Sequence, residues 1–328
     1  MMEELLKIRN LLITNKEVAI ISHSNPDGDA LGSQIALSLA LEKLGIQTLL
    51  INKDPVPPSY HFLPNSEIIM PLSKKAQLPG VLIFLDCATL DRTGYETEFL
   101  NKQGRIFINI DHHISNDKYA DINWVEEKAA ATAEMIYDLI SLLQVKIDKD
   151  IATALYTGIS TDTGSFLYEN TTSTTHQIAS DLINKGANIS ELRINFYENM
   201  SKGRLNLLKK GLNNLSFAQN DKIGWMAFTY SELTNSDAVD SDGDGLINYV
   251  KNISEVEVAL VFREIEPGKT KVSLRSKSWF DVNQLAAVFQ GGGHARAAGC
   301  VIEGDQQEIV KKVISKAQES FLQGGHIR

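Results

Sequence analysis

Residues 105–113 read Arg-Ile-Phe-Ile-Asn-Ile-Asp-His-His. The run 105–110 reads as a buried strand and leads directly into Asp111, His112 and His113. Two imidazoles and a carboxylate at a strand's carboxyl end are not what core packing needs; they are donors that hold a metal ion. Two other apolar runs end in a similar way. Residues 18–21 lead into His23-Ser-Asn-Pro-Asp27-Gly-Asp29, and residues 81–85 lead into Asp86. After the first of these, residues 30–44 predict a helix stopped by Gly45, and residues 47–51 a further strand. Strand, loop, helix, strand is a βαβ unit, which predicts a parallel sheet with its active loops beyond the carboxyl ends of the strands.

The other periodicities fill in an α/β chain. Residues 3–14 have helical spacing, and 53–66, with four prolines, read as loop. Residues 129–143 predict an Ala-rich helix. Residues 148–160 predict another, running into Thr161-Asp162-Thr163-Gly164, and 173–185 a third with Ser173 or Thr174 as cap. Residues 189–215 are helical and mixed in polarity, and read as a linker. Beyond them the style changes to partly alternating strands at 222–229, 256–265 and 269–276, the last two joined by Glu266-Pro267-Gly268. A short helix at 282–289, a loop at Gly291-Gly292-Gly293-His294 and a closing helix at 306–322 complete the chain. The expectation is a parallel-sheet domain with helices on both faces at 1–188, a helical linker at 189–215, and a smaller α/β domain at 216–328.

With 328 residues, 43% apolar and 22% charged, the chain is globular and long enough for two cores. No apolar run is long enough to span a membrane, and the amphipathic, acidic start does not read as a signal peptide. Two cysteines, Cys87 and Cys300, fit a reducing cytoplasm. Net charge is −9 and uneven: residues 1–199 hold 16 basic and 26 acidic side chains, residues 200–328 hold 16 and 15. An acidic first part argues against wrapping long nucleic acid and suits cation collection, although solubility alone would also explain the total.

His23, Asp27 and Asp29 put three donors on one turn. Asp27 and Asp29 lie two apart in an extended stretch, so they would point to different ions, with Asp86 the best bridge between them. His112 and Asp162 would complete the second ion's shell. Singly, Asp27 and Asp29 also fit a polar turn or helix cap and Asp162 a helix-end turn. Imidazole with carboxylate suits Mn²⁺ better than Mg²⁺ or Ca²⁺. An ion pair about 3.5–4 Å apart generates hydroxide and clamps both oxygens of an in-line phosphoryl displacement.

The set His23-Ser-Asn-Pro-Asp27-Gly-Asp29-Ala-Leu-Gly-Ser33, Asp86, Asp111-His112-His113 and Thr161-Asp162-Thr163-Gly164 resembles the motifs of the DHH phosphoesterase superfamily. Val272-Ser-Leu-Arg275-Ser276 and Gly291-Gly-Gly-His294-Ala-Arg-Ala-Ala-Gly299 resemble its accessory DHHA1 domain. Together they are similar to the nanoRNase branch, bifunctional oligoribonucleases and 3',5'-bisphosphate nucleotide phosphatases. The resemblance implies two Mn²⁺ ions, one on His23, Asp27 and Asp86, the other on Asp29, Asp86, His112 and Asp162, in a cleft between the domains. It makes His113 the group facing phosphate and Asp111 the carboxylate that orients the neighbouring imidazoles. Arg275, Ser276 and the segment Gly291, Gly292, Gly293 and His294 would receive the nucleotide. This chain departs at Gln290, where many members carry a further glycine.

The late loop's chemistry agrees: glycines let backbone amides approach an anion, and Arg275 grips phosphate with a fork. Trp279 or Phe280 could stack on a base, and Arg92 could reach phosphate or make a surface ion pair. Asp240-Ser-Asp242-Gly-Asp244-Gly245 starts like a calcium loop, but its twelfth position is Lys251 where a Glu is needed, so it reads as an acidic turn. The expected function is hydrolysis of short RNA to mononucleotides and dephosphorylation of 3'-phosphoadenosine 5'-phosphate, in the cytoplasm, with no long nucleic acid or membrane as partner and a homodimer left open. The rivals are a cyclic or linear dinucleotide phosphodiesterase, an inorganic pyrophosphatase and a nucleotide-sensing module.

Overall fold

The computed structural model describes residues 2–73, 77–96, 100, 104–236, 243 and 245–322. The chain divides into two compact units, residues 1–199 and 200–328. In the first, β1 (Glu17–Ile21), β2 (Gln47–Ile51), β3 (Val81–Leu85), β4 (Ile106–Asp111) and β5 (Ile122–Val125) form one parallel sheet. Their order is β2-β1-β3-β4-β5. The chain leaves β1 for β2 on one side and returns to β3 on the other. The strand order reverses at β1 and β3, and beyond their carboxyl ends is where open α/β sheets hold ligands.

The apolar strands are buried on both faces, as crossover connections require. Ile20, Ile83, Leu85, Ile108 and Ile110 share one core with Leu31, Ile35, Ile136, Leu155 and Ile159, while Ile21, Phe84 and Phe107 pack on the other face with Tyr95 and Leu100. The helices are α1 (Met2–Thr14), α2 (Gly28–Lys43), α3 (Thr132–Leu142), α4 (Lys149–Asp162), α5 (Ser173–Asn184) and α6 (Ile189–Tyr197).

Among the helix boundaries that differ from the sequence expectation, the starts of α2 and α3 bear on function. Helix α2 starts at Gly28, so Asp29 lies in its first turn and not on an extended stretch. Asp27 caps it, its Oδ1 accepting from the N–H groups of Asp29 (3.0 Å) and Ala30 (3.1 Å). Helix α3 starts at Thr132, leaving residues 129–131 outside the helix. The cap of α5 is Thr172, not Ser173 or Thr174, because Thr172 is extended and its hydroxyl accepts from Thr175 N–H.

The second unit holds α7 (Lys202–Asn213) and a mixed sheet of β6 (Ser216–Ala218), β7 (Ile223–Phe228), β8 (Val258–Glu266), β9 (Lys269–Ser276), β10 (Gly292–His294) and β11 (Ala297–Glu303). Their order is β10-β11-β9-β8-β7-β6. The unit also contains α8 (Tyr230–Thr234), α9 (Leu246–Lys251), α10 (Val282–Val288) and α11 (Gln306–Leu322). One face of the sheet buries Leu274, Phe280, Leu285 and Val313; the other buries Leu207, Met226, Val250 and Val261. The segment from Gly291 to His294, expected as a loop, is the start of a hairpin: β10 pairs antiparallel with β11. Consecutive glycines read as loop because they carry no side-chain periodicity, yet their backbone groups pair as well as any. Of the calcium-loop-like stretch, Asp240, Ser241, Asp242 and Asp244 lie outside the described residues. Among the described residues no helix is long and apolar enough to cross a membrane.

Candidate metal centre

The loops that follow β1, β3 and β4 and the end of α4 deliver the first unit's donors. After β1, the left-handed Asn25 (φ +52°) turns the chain from His23 into Asp27 and the start of α2. Asp86, directly after β3, is itself left-handed at φ +59°, with its N–H on Ile110 O (3.1 Å). Aspartate tolerates this conformation better than most residues. Asp111 is the last residue of β4, and Asp162 the last of α4. Ligand atoms of His23, Asp27 and Asp86, of Asp29, His112 and Asp162, and of Asp86, His112 and His113 form three sets, each within 4.8 Å. All six side chains expected at the metals are therefore brought together.

Hydrogen bonds fix which imidazole nitrogen faces the cluster. His23 Nδ1 lies 2.8 Å from Ser24 O, and His112 Nδ1 3.2 Å from Ala129 O. A carbonyl only accepts, so Nδ1 carries the proton in both and Nε2 is turned toward the carboxylates. Nε2 of His23 stands 3.4 Å from Asp86 Oδ2 and 3.8 Å from Asp27 Oδ1. Nε2 of His112 stands 3.4 Å from Asp162 Oδ2, 3.6 Å from Asp86 Oδ1 and 3.9 Å from Asp29 Oδ2. Asp86 thus turns one oxygen to each imidazole, the disposition of a bridge.

Charge crowding points the same way. Among the described residues, the ion pairs of Asp27, Asp29, Asp86, Asp111 and Asp162 are all with imidazoles; no lysine or arginine takes part. Burial and the charges of Asp86, Asp162 and Asp27 hold the fully buried Asp29 well above the usual carboxylate range. Burial, with Asp86 and Asp27, pushes Asp162 up to about 6. Burial alone would lower His23, but the facing carboxylates of Asp27 and Asp86 outweigh it and push it up to about 10. A cluster that must collect protons to offset its own repulsion, and turns the Nε2 atoms of two imidazoles inward, fits divalent cations that would displace those protons.

His113 joins Asp86 and His112 in one of these sets but lies outside the six side chains expected at the metals. Its Nδ1 is 2.8 Å from Asp111 Oδ1 and 3.6 Å from Asp86 Oδ1, and its side chain is 41% exposed. The Asp111 carboxylate pushes it up to about 9. Asp111, fully buried, also accepts from Asn116 Nδ2 (2.6 Å). It therefore orients His113 only, whereas both neighbouring imidazoles were expected to depend on it; His112 is oriented by a backbone carbonyl.

The second unit places its expected residues unequally. Across three strands, Arg275 pairs with Ala297 and Ala297 with His294, so Arg275 and His294 share one sheet face with a small residue between them. Gly291 and Gly293 are demanded by the fold: a Cβ at Gly291 would lie 2.3 Å from Gly299 O, and Gly293 has φ +149°. Gly292 is exposed, and the nearest atom to a Cβ there is 3.9 Å away, so nothing in the fold requires glycine at that position. Gln290, at the position where a further glycine was noted, holds φ +59°, a conformation glycine adopts without cost. Ser276 does not face outward. It is 4% exposed, and its hydroxyl donates to Ala295 O (3.4 Å), bracing the hairpin. Phe280 is core, while Trp279 is 47% exposed and edge-packed on Phe280 and Phe321.

Sequence reading missed Thr132, Asn116, Asn170 and Gly158. For Gly158 a signal existed, since an isolated glycine inside a helix commonly has a packing reason. A Cβ there would lie 2.9 Å from Asp29 Oδ1 and 2.7 Å from Ala133 Cβ.

This fold and donor cluster are those of a phosphoesterase, and the chain belongs to the DHH family. Residues 17–159 match the DHH family, N-terminal domain, and residues 227–320 the DHHA1 domain. It is a hydrolytic enzyme whose donors are suited to divalent metal ions. The chain is 32% identical over 314 residues to the bifunctional oligoribonuclease and PAP phosphatase NrnA of Thermus thermophilus, covering 94% of this chain and 92% of that one. A Bacillus subtilis protein of the same name is 30% identical over 286 residues, covering 85% and 87%. Among solved structures, an exopolyphosphatase-related protein from Bacteroides fragilis shares the architecture at a TM-score of 0.90 and 26% identity, over 98% of this chain and 97% of that one.

Proposed function

We propose that this chain is a Mn²⁺-dependent, two-metal phosphoesterase that hydrolyses short RNA oligonucleotides to mononucleotides and removes a phosphate from 3'-phosphoadenosine 5'-phosphate. The substrates follow from the names of the relatives that align over most of both chains. The two-metal reading rests on one observation: Asp86 directs Oδ2 to the His23 side and Oδ1 to the His112 side. His23, Asp27 and Asp86 would hold one ion; Asp29, Asp86, His112 and Asp162 the other. Mixed imidazole and carboxylate ligation favours Mn²⁺ over all-oxygen cations. Bound there, the ions would polarise the phosphoryl oxygens and lower the pKa of water.

The remaining work falls to the protein's own groups. His113, held by Asp111 and open to solvent, donates a hydrogen bond to a phosphate oxygen and can pass a proton to the leaving oxygen. Arg275 and His294 take the nucleotide or its second phosphate, and the open Gly292 lets it approach the backbone. Two buried, unpaired cysteines suit a cytoplasmic enzyme.

A turnover series tests this reading, using RNA from dinucleotide to well beyond pentanucleotide, 3'-phosphoadenosine 5'-phosphate, a cyclic dinucleotide and pyrophosphate, each in Mn²⁺ and in Mg²⁺. The expected result is highest kcat/KM on the shortest RNAs, turnover of the bisphosphate, and a preference for Mn²⁺. Faster hydrolysis of the cyclic dinucleotide or of pyrophosphate would overturn it.

A further inference from the structure

Five residues just before and at the start of α3, Ala129-Ala-Ala-Thr-Ala133, touch three of the four side chains assigned above to one ion, and Asn170 links them to the backbone of the fourth, Asp162. Ala129 O accepts from His112 Nδ1 (3.2 Å). Ala130 O accepts from Asn170 Nδ2 (2.9 Å), and the same amide donates to Asp162 O (3.2 Å), tying the end of α4 to this segment. Thr132 Oγ1 donates to Asp86 Oδ1 (3.1 Å), the oxygen on the His112 side. The N–H groups of Thr132 (2.6 Å) and Ala133 (2.9 Å) donate to the two oxygens of Asp29. Helix α3 has alanine at its N-cap and no side-chain cap of its own, so a carboxylate from α2 receives its free first-turn donors. The segment is itself fixed from outside by Glu134 Oε2, which accepts from Ala130 N–H (3.1 Å).

The other proposed ion has different supports. His23 is held by Ser24 O, and Asp27 by the N–H groups of α2. Only Asp86 belongs to both.

We propose that Ala129–Ala133 is a positioning strap that builds one metal site as a unit, setting three of its four ligands directly and the backbone of the fourth through Asn170, while the neighbouring site is set by α2 and the β1 loop. Thr132 and Asn170 are its two side-chain ties. Neither is a ligand; they act through Asp86 and through the backbone of Asp162. The inference rests on the two-metal reading of the centre.

Titration of metal-stripped protein with MnCl₂ in a calorimeter tests it, with Thr132→Val, Thr132→Ser and Asn170→Ala compared with wild type. Loss of a group that orients a ligand commonly weakens metal binding by about 10–100-fold. The expected result is two equivalents in the wild type, one of which weakens to that extent in Thr132→Val and Asn170→Ala while the other holds. Thr132→Ser, which keeps the hydroxyl, stays close to wild type. Melting of the metal-free variants is followed in parallel, because a merely structural role would lower stability without separating the two equivalents. Equal weakening of both equivalents, no weakening, or a Thr132→Ser variant as poor as Thr132→Val overturns the strap. If Thr132→Val fails to fold, the half-buried Asn170→Ala carries the same decision. A single equivalent in the wild type would sink the two-metal reading instead, and the strap would then stand or fall on whether that equivalent weakens.

Discussion

Asp86 combines a left-handed backbone, near-complete burial and two oxygens aimed at different imidazoles. Asparagine tolerates the same backbone, so Asp86→Asn isolates the charge from the fold. The expected outcome is a loss of roughly a thousandfold in kcat/KM, about 4 kcal/mol of transition-state stabilisation, together with weakened binding of both ions. Steady-state kinetics with a metal titration checks it; activity within tenfold of wild type would contradict the bridge. Protonation at the same residues sets a pH dependence. In the metal-free protein His23 is pushed up to about 10, Asp162 up to about 6, and Asp29 well above its usual range. The stabilising contribution of His23 is complete below the ordinary histidine range and is lost as pH rises through about 10. Metal loading must displace such protons, so Mn²⁺ affinity should rise with pH, about tenfold per unit for each proton released. Calorimetry in two buffers of different ionisation enthalpy measures the release directly, and none at neutral pH would argue against His23 as a ligand.

At the level of elements, the centre depends on helices that approach more closely than side chains normally permit. A Cβ at Gly32 of α2 would lie 2.3 Å from Ala154 O of α4, and one at Gly158 of α4 would press on Asp29 and Ala133. Gly158→Ala sets two effects against each other. Alanine favours the helix by about 1 kcal/mol, while overpacking costs about 1–3 kcal/mol. The contact here is with a proposed ligand and with α3, which has little room to yield, so overpacking should win. The expected result is a lower melting temperature and weaker Mn²⁺ binding. A variant that melts higher and binds Mn²⁺ normally would show that the crossing has slack.

Across the whole molecule, the proposed function assigns chemistry and recognition to different compact units. The first carries the acidic excess and the candidate metal donors; the second carries Arg275 and His294 on one sheet face. Arg275→Ala should therefore raise KM for short RNA and leave Mn²⁺ binding alone. A charged hydrogen bond contributes about 1.5–3 kcal/mol, which corresponds to roughly ten- to a hundredfold. Unchanged KM would remove Arg275 from the substrate, and altered metal affinity would remove the division of labour.

The apolar runs of β1, β3 and β4, each leading into a polar donor, were legible in the chain because a strand buried on both faces leaves a continuous apolar signal that polar residues interrupt. Five of the six candidate metal donors, His23, Asp27, Asp29, Asp86 and His112, were legible because they follow those runs, and the sixth, Asp162, because it follows a helical pattern. Invisible were the supports: Thr132 and Ala133 reaching Asp29 over a separation of more than 100 residues, Asn170 joining the end of α4 to the segment before α3, and Gly158 yielding space to a carboxylate. Ser276 was misplaced, and Gly291–His294 was taken for a loop. These depend on which backbone group or Cβ lies opposite which other one. Local residue chemistry does not encode that; the sheet register and the crossing of α2, α3 and α4 do. The sequence by itself determined which side chains could bind metal. The tertiary structure decided that they converge, which nitrogen each imidazole presents, and that Asp86 faces both ways.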